Sequence, residues 1–318
     1  MNDSISTTQE AGAFVLDKLR WMRSNRIWPD GLRYLWTDAF GVVLLVSLYK
    51  KLGDRSFLQD AECLVSEVDR VLGRTRGIRI GQEPDRDGQY FHYLAMWLYA
   101  LAVLGRFLPV YKQKGVDLVG QIHEPFLVRG RGVIWKMQED LSGPYVGTGL
   151  GAMDPYDGYV SYRMLDEKLL SSEIADMKTL IDACNPDLFI TQDLGLGMML
   201  WLTHFFPAEE WAIIQRRRCL EMLDRMWCED GYFCREPYLP DTKFAFTNFG
   251  VSIGLQAVGE MPGRVRALNQ FFESYRAGDE YDRAAITHVM ACSSHFPGYL
   301  ICDSRYLIFQ IVSDEIAP

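Results

Sequence analysis

Two kinds of helical segment alternate along this chain, and the alternation leaves few folds open to it. Apolar residues recur at helical spacing almost everywhere, while runs of strict alternation are few and short. Start and stop signals predict helices over residues 9–24, 37–52, 55–73, 88–105, 110–124, 154–168, 171–184, 192–205, 208–227, 246–258, 262–276 and 282–293. The even members are apolar nearly all round, as in TDAFGVVLLVSLYKKLG, GQYFHYLAMWLYALAVLG, TQDLGLGMMLWLTHFF and TNFGVSIGLQAVG. The odd members carry charge on one face, as in SFLQDAECLVSEVDRVLG and EEWAIIQRRRCLEMLDRMW. Wholly apolar helices belong inside and amphipathic ones at a surface. Six of each in alternation fit an inner ring of helices sheathed by an outer ring. Gly41, Gly195, Gly197, Gly250 and Gly254 on the inner set permit close helix approach, at some cost in helix propensity.

In the first hairpin, Asp38-Ala-Phe-Gly41 is followed by Leu48-Tyr49-Lys50-Lys51-Leu52-Gly53-Asp54-Arg55-Ser56-Phe57-Leu58 and Ala61. This stretch resembles the six-hairpin glycosidase repeat, in which an inner helix ends in such a Leu-Tyr…Gly-Asp run and the next outer helix begins. The resemblance implies an all-α fold, an (α/α)6 toroid of six helical hairpins, with residues 1–318 as one domain. Glycoside hydrolases, polysaccharide lyases, sugar epimerases and several enzymes outside carbohydrate chemistry share that architecture, so the fold does not name the reaction.

Charge narrows the partners. The net charge is −9 and the pI near 5.2, which argues against nucleic acid or an anionic membrane surface and leaves a small-molecule substrate. The start, MNDSISTTQEAG, lacks the pattern of a secretory signal, and the apolar run Phe40–Tyr49 is too short to span a bilayer. Seven Cys, from Cys63 to Cys302, form no CxxC pair and read as reduced thiols of a cytoplasmic protein. The His residues show no HExxH or other metal spacing, and no P-loop or GxGxxG occurs, so neither a metal nor another cofactor is expected. No sequence feature signals an oligomeric state.

In a toroid of this kind the N-terminal ends of all inner helices open into one funnel, so their first turns are the informative positions. These read Trp36, Thr37 and Asp38; Asp87, Gln89, Tyr90 and His92; Asp154, Tyr156 and Asp157; Gln192 and Asp193; Thr247 and Asn248; Thr287 and His288. Such residues also cap helices and suit the helix dipole, and Asp154-Pro155-Tyr156-Asp157 has the form of a cap. Tyr90, His92, Gln192 and His288 are not caps. Asp38, Asp154, Asp157 and Asp193 supply acids for glycoside hydrolysis by a carboxyl pair, and two inner helices can hold them roughly 6.5–9.5 Å apart, the inverting arrangement. Trp36, Tyr90 and Tyr156 are candidates for stacking on sugar faces, with Trp97 deeper in the core.

The stretch GRTRGIRIGQEPDRDGQ, residues 73–89, is long enough for a functional loop. Its Arg74, Arg76 and Arg79 suit an anionic group, unless they pair with Glu83, Asp85 and Asp87. A second irregular stretch, RGRGVIWKMQEDLSGPYVGTGLGAMDP, adds Arg129, Arg131 and Lys136. The first functional reading is therefore acid/base chemistry on a sugar, possibly an anionic one. In the resembling fold, epimerases use two His across the funnel, for which His92 and His288 are available. A reading from another class is a magnesium-dependent isoprenoid diphosphate cyclase: Asn248-Phe-Gly-Val-Ser252-Ile-Gly-Leu-Gln256 is similar to the NxxxSxxxE motif of terpene synthases, with Asp154 and Asp157 as the acidic partner. Gln256 stands where that motif has an acid, and no DDxxD occurs.

Overall fold

The computed structural model describes residues 2–235 and 243–301, with side chains from residue 12 onward. Cys302 lies outside the described residues. Twelve α-helices appear among them: α1 (Asn2–Ser24), α2 (Leu35–Leu52), α3 (Arg55–Leu72), α4 (Phe91–Gly105), α5 (Val110–Phe126), α6 (Asp154–Asp166), α7 (Ser171–Cys184), α8 (Asp193–Thr203), α9 (Glu210–Met226), α10 (Ala245–Val258), α11 (Pro262–Ser274) and α12 (Ala285–His295).

The even helices pack in the cyclic order α2–α4–α6–α8–α10–α12 and back to α2, so the inner ring closes. Each odd helix lies against an inner neighbour: α3 on α2, α5 on α4, α7 on α6, α9 on α8, α11 on α10, and α1 on α12. The sequence pattern produces this directly. Nearly every residue from Leu35 to Leu48 and from Leu94 to Leu104 is buried, whereas α3 buries only Leu58, Ala61, Leu64, Val65, Val68 and Leu72, one stripe at helical spacing. Each hairpin returns the chain to the same end, so all six inner helices start on one side. Aligned N-termini leave their first N–H groups exposed there, which draws polar residues to that end.

Two inner helices meet backbone to backbone. A Cβ on Gly254 of α10 would lie 2.1 Å from the Gly197 carbonyl oxygen of α8, and one on Gly197 would lie 2.6 Å from the Gly250 carbonyl. Gly41 of α2 gives way to a side chain instead, since a Cβ there would lie 2.2 Å from the Trp28 ring.

Between α5 and α6 the irregular stretch forms short strands over the funnel end. β1 (Gln89–Tyr90) pairs antiparallel with β4 (Lys136–Met137), and β3 (Gly132–Ile134) lies between β2 (Leu127–Val128) and β5 (Leu150–Gly151). The arginine-bearing loop is ordered against the start of α2, where the Leu35 N–H donates to the Ile80 carbonyl and the Gln82 N–H to that of Arg33.

The contact between α8 and α10 leaves no room for a methyl group. Gly254→Ala is expected to lower the unfolding free energy by about 3 kcal/mol, through overpacking against backbone. Gly120→Ala on α5, where an added Cβ meets open space, should raise it by about 0.5–1 kcal/mol. Urea unfolding of both variants checks the pair, and equal effects would contradict the close approach.

Candidate active site

The first turns of α2, α4 and α6 and the segment over them build one aromatic enclosure. Trp36 packs against His92 (5.9 Å between ring centroids) and Tyr93 (5.3 Å), His92 against Tyr90 (5.6 Å, stacked), and Tyr90 against Tyr93 (5.1 Å) and Trp135 (5.3 Å). Tyr34 extends the wall, hydrogen bonded through its hydroxyl to that of Tyr93 and covered by the Arg86 guanidinium. Strand pairing brings Trp135 here: Tyr90 lies opposite Lys136, and the Phe91 N–H donates to the Trp135 carbonyl at 3.1 Å.

Beneath the wall is a cavity of about 270 Å³ along the toroid axis, lined by Trp36, His92, Met96, Asp157, Ser161 and Trp201 among others. Asp157 shares one helix with Asp154, three positions away, a spacing that puts both on the same face. No ion pair compensates either carboxyl among the described residues. Burial pushes Asp154 up to about 7, opposed by backbone N–H groups of His92 and Asp154 itself, which favour its charged form. Burial pushes Asp157 well above the usual carboxylate range, and the neighbouring Asp154 charge adds to this. The two are therefore one coupled unit that holds a proton near neutral pH. Burial also lowers His92 to about 4, so its ring is neutral at pH 7. Four buried polar atoms in the first turns of α2 and α6 lack protein partners among the described residues: Trp36 Nε1, Thr37 Oγ1, Asp38 Oδ2 and Asp154 Oδ1. Unsatisfied groups of this kind are costly in a folded protein and concentrate where a ligand supplies the missing bond.

The other acids at helix starts have partners. Asp38 Oδ1 accepts from Trp28 Nε1 (3.0 Å) and from the buried Arg33 guanidinium (3.2 Å), which also donates to the Pro29 and Gly31 carbonyls. Burial outweighs this pairing and pushes Asp38 up to about 6. Asp38 thus clamps the chain that enters α2. Asp193 Oδ2 accepts from the Thr247 hydroxyl (2.6 Å) and Oδ1 from the Leu194 N–H (2.7 Å), joining the starts of α8 and α10. Burial raises its pKa as well. Asn248 donates to the Phe244 carbonyl (3.0 Å) and accepts from the Phe233 N–H (2.7 Å). Gln192 occupies the N-cap position of α8, exposed and with no side-chain cap hydrogen bond.

Several expected ligand contacts are turned elsewhere. Tyr156 does not face the axis: it is fully buried, donates to Asn185 Oδ1 (3.1 Å) and packs on Trp211 of the outer ring, because the funnel-facing positions of α6 are taken by the Asp pair. Gln89 is a staple, donating to the Arg76 and Glu139 carbonyls and accepting from the Ile78 N–H. Arg74 and Arg79 both pair with Glu139 at 2.8 Å, and Arg76 donates to the Gln121 carbonyl (3.0 Å). The counter-charge of Arg74 and Arg79 is Glu139 rather than Glu83, Asp85 or Asp87; Asp87 takes Lys136 (3.3 Å) and the Tyr145 hydroxyl (2.7 Å). His288 lines a separate cavity of about 500 Å³ between α1, α10, α11 and α12, with Nε2 3.0 Å from the Asp282 carbonyl oxygen. That larger cavity lacks an uncompensated acid pair: the Asp282 carboxylate accepts from the Ala277 and Gly278 N–H groups, both at 2.8 Å.

Tyr34, Tyr93 and Trp135 belong to the wall without any sequence motif that marks them. Tyr93 was within sight, directly after His92, whereas only strand register brings Trp135 to the wall.

No family model matches the sequence, and no curated protein matches it either. Solved structures do. The GH76 α-mannanase of Bacteroides thetaiotaomicron superposes with a TM-score of 0.61 at 10% identity, over 92% of this chain and 96% of that one. Cellobiose 2-epimerase from Bacillus thermoamylovorans gives 0.59 at 11% identity, over 84% and 88%. The cellobiose 2-epimerase of Spirochaeta thermophila gives 0.60 at 13%, over 84% and 86%. The chain has the six-hairpin glycosidase-like toroid fold. Such identities establish the architecture of this toroid and leave its chemistry to its own residues.

Removing the Asp38 charge leaves Arg33 buried without a counter-charge. Asp38→Asn is expected to lower the unfolding free energy by about 3–5 kcal/mol, measured by denaturant titration. Unchanged stability would show that the clamp has no structural role.

Proposed function

We propose that this toroid is a carbohydrate-active enzyme that hydrolyses a neutral glycoside, with Asp154 and Asp157 as its carboxyl pair. The observation that carries the reading is two carboxyls one helical turn apart, Asp154 buried and Asp157 half-buried, with no cation paired to either among the described residues, beside a cavity lined by Trp36, His92, Asp157 and Trp201. Glycoside hydrolysis needs one carboxyl protonated and one charged at the same pH. Asp154, favoured as the anion by backbone N–H groups, is the carboxylate; Asp157, with no such N–H bond and raised by burial and the neighbouring Asp154 charge, is the acid. Trp36, Tyr90 and Trp135 offer faces for the sugar ring, and Trp36 Nε1 a hydrogen bond donor for a hydroxyl. One turn of helix separates side chains by about 5–6 Å, nearer the spacing of retaining enzymes than of inverting ones. Asp154 is then the nucleophile, and Asp157 protonates the leaving oxygen. The structural neighbours include an α-mannanase, which supports a hexose glycoside as the substrate class.

An anionic substrate has little support, because Arg74 and Arg79 are engaged by Glu139. Epimerisation by two His has less support than hydrolysis, since His92 and His288 line different cavities. For the cyclase reading, Gln256 donates to Ser252 Oγ and the Ser294 carbonyl, which commits two residues of that motif to helix packing.

Asp154→Asn and Asp157→Asn are each expected to lower kcat on an aryl hexoside by about 10²–10⁴-fold, and proton NMR of the first product should show the anomeric configuration of the substrate. A product of equal mass to the substrate, or full activity in both variants, would end the hydrolytic reading.

The same carboxyls set a pH dependence. Their pKa values are higher in the folded chain than the ordinary 3.8. The stabilisation linked to their protons is thus complete below pH 4 and lost as pH rises through the folded value, about 7 for Asp154. Asp154→Asn should therefore be more stable than wild type at pH 8, by at most about 4 kcal/mol, with the advantage gone near pH 4. Thermal melts across that range test it.

A further inference from the structure

Past the end of α9 the chain makes a tight hairpin before the approach to α10. Trp227 and Phe233 pair as an antiparallel bridge, the Cys228 N–H donates to the Tyr232 carbonyl (3.0 Å), and the Gly231 N–H donates to the Cys228 carbonyl (3.1 Å). Gly231 has φ +93°, a turn conformation that favours glycine. The hairpin carries a cysteine on each arm, and it turns their side chains toward each other. The Sγ atoms of Cys228 and Cys234 lie 3.0 Å apart, and both residues are half-buried, within reach of small reagents. A disulfide needs about 2.0 Å between sulfurs, so about 1 Å of travel closes the bond. The other described thiols differ: Cys219 and Cys292 are buried, Cys63 is exposed and Cys184 lies against Tyr156. Among the described residues, no group of three His, Cys, Asp or Glu gathers that would make the pair part of a metal site.

We propose that Cys228 and Cys234 form a thiol modification site, closed to an intramolecular disulfide by exchange with a glutathione-type disulfide. The Cys228 thiolate attacks one sulfur of the reagent and expels one thiol. Cys234 then attacks Cys228 Sγ in the mixed disulfide and expels the second thiol. Two protein thiols lose two electrons and two protons, and one reagent disulfide is reduced to two thiols. Cys234 is the resolving partner, its Sγ 3.0 Å from Cys228 Sγ, and burial pushes its thiol up. The bond bears on the funnel. The Phe233 N–H between these cysteines donates to Asn248 Oδ1 (2.7 Å), and Asn248 Nδ2 stands 3.5 Å from Asp193 Oδ2. Closing the hairpin ties the end of α9 to the turn that fixes Asn248.

Tryptic cleavage after Arg225 and Arg235 releases both cysteines in one fragment, 226–235. The folded full chain is equilibrated with excess oxidised glutathione, denatured, alkylated with iodoacetamide, digested and weighed. The fragment is expected to carry no alkyl group and to be lighter by two hydrogens than the dithiol form. Cys228→Ser treated alike should yield the fragment with a single glutathione or alkyl group on Cys234. A wild-type fragment with two alkyl groups or two glutathiones, or joined to another cysteine, would overturn the proposal.

Discussion

A helix that is apolar on every side has no face to give to water. Inner helices of this kind, such as α2, α4, α8 and α10, must bury one another, and a closed ring does so with each inner helix touching two inner neighbours and backed by the outer layer. The outer helices need only one apolar stripe, which is what α3 carries. From this follow the alternation of character along the sequence, the glycines where α8 meets α10, and the concentration of polar side chains at one end. Along the ring's interior a charge has no solvent. At the aligned N-termini, free N–H groups and positive dipole ends make polar and acidic side chains tolerable.

That common end also explains why four aspartates in equivalent places do different things. Asp38 is neutralised by Arg33, and Asp193 is bound by Thr247 and the Leu194 N–H. Asp193 and the Oδ1 of Asp38 thereby hold helix starts in place, while Asp38 Oδ2 has no partner among the described residues. Asp154 and Asp157 have no ion-pair partner among the described residues, and burial, with the Asp154 charge acting on Asp157, pushes both above the usual carboxylate range. Perturbed carboxyls of this kind cluster at functional sites.

The helices were legible because period and capping act locally, and the twelve expected segments coincide with the twelve described helices to within a few residues at most ends. The larger departure is α1, which begins at Asn2 instead of residue 9. The inner and outer roles were legible because burial writes hydrophobicity on all sides of a helix or on one. Partner choice was not. Glu139 lies 60 or more positions from the arginines it binds, and nothing in its own neighbourhood marks it. Arg33, five positions before Asp38, was close enough to notice, but its role depends on a buried turn through Pro29 and Gly31. Tyr156 turns away from the funnel because one or two positions along a helix change the face: Asp154 and Asp157, three positions apart, share a side that Tyr156 does not. The cysteine hairpin escaped because five residues separate its thiols, outside the CxxC spacing.

The account rests on one charge state: a carboxyl pair on α6 that keeps a proton at neutral pH without any cation beside it. Difference infrared titration of the folded protein reads this directly, with Asp154→Asn and Asp157→Asn used to assign the carboxylic C=O band. A protonated carboxyl that persists at pH 7, loses its proton above that, and disappears in Asp157→Asn is the predicted result. Both groups ionised throughout pH 5–8 would contradict the account.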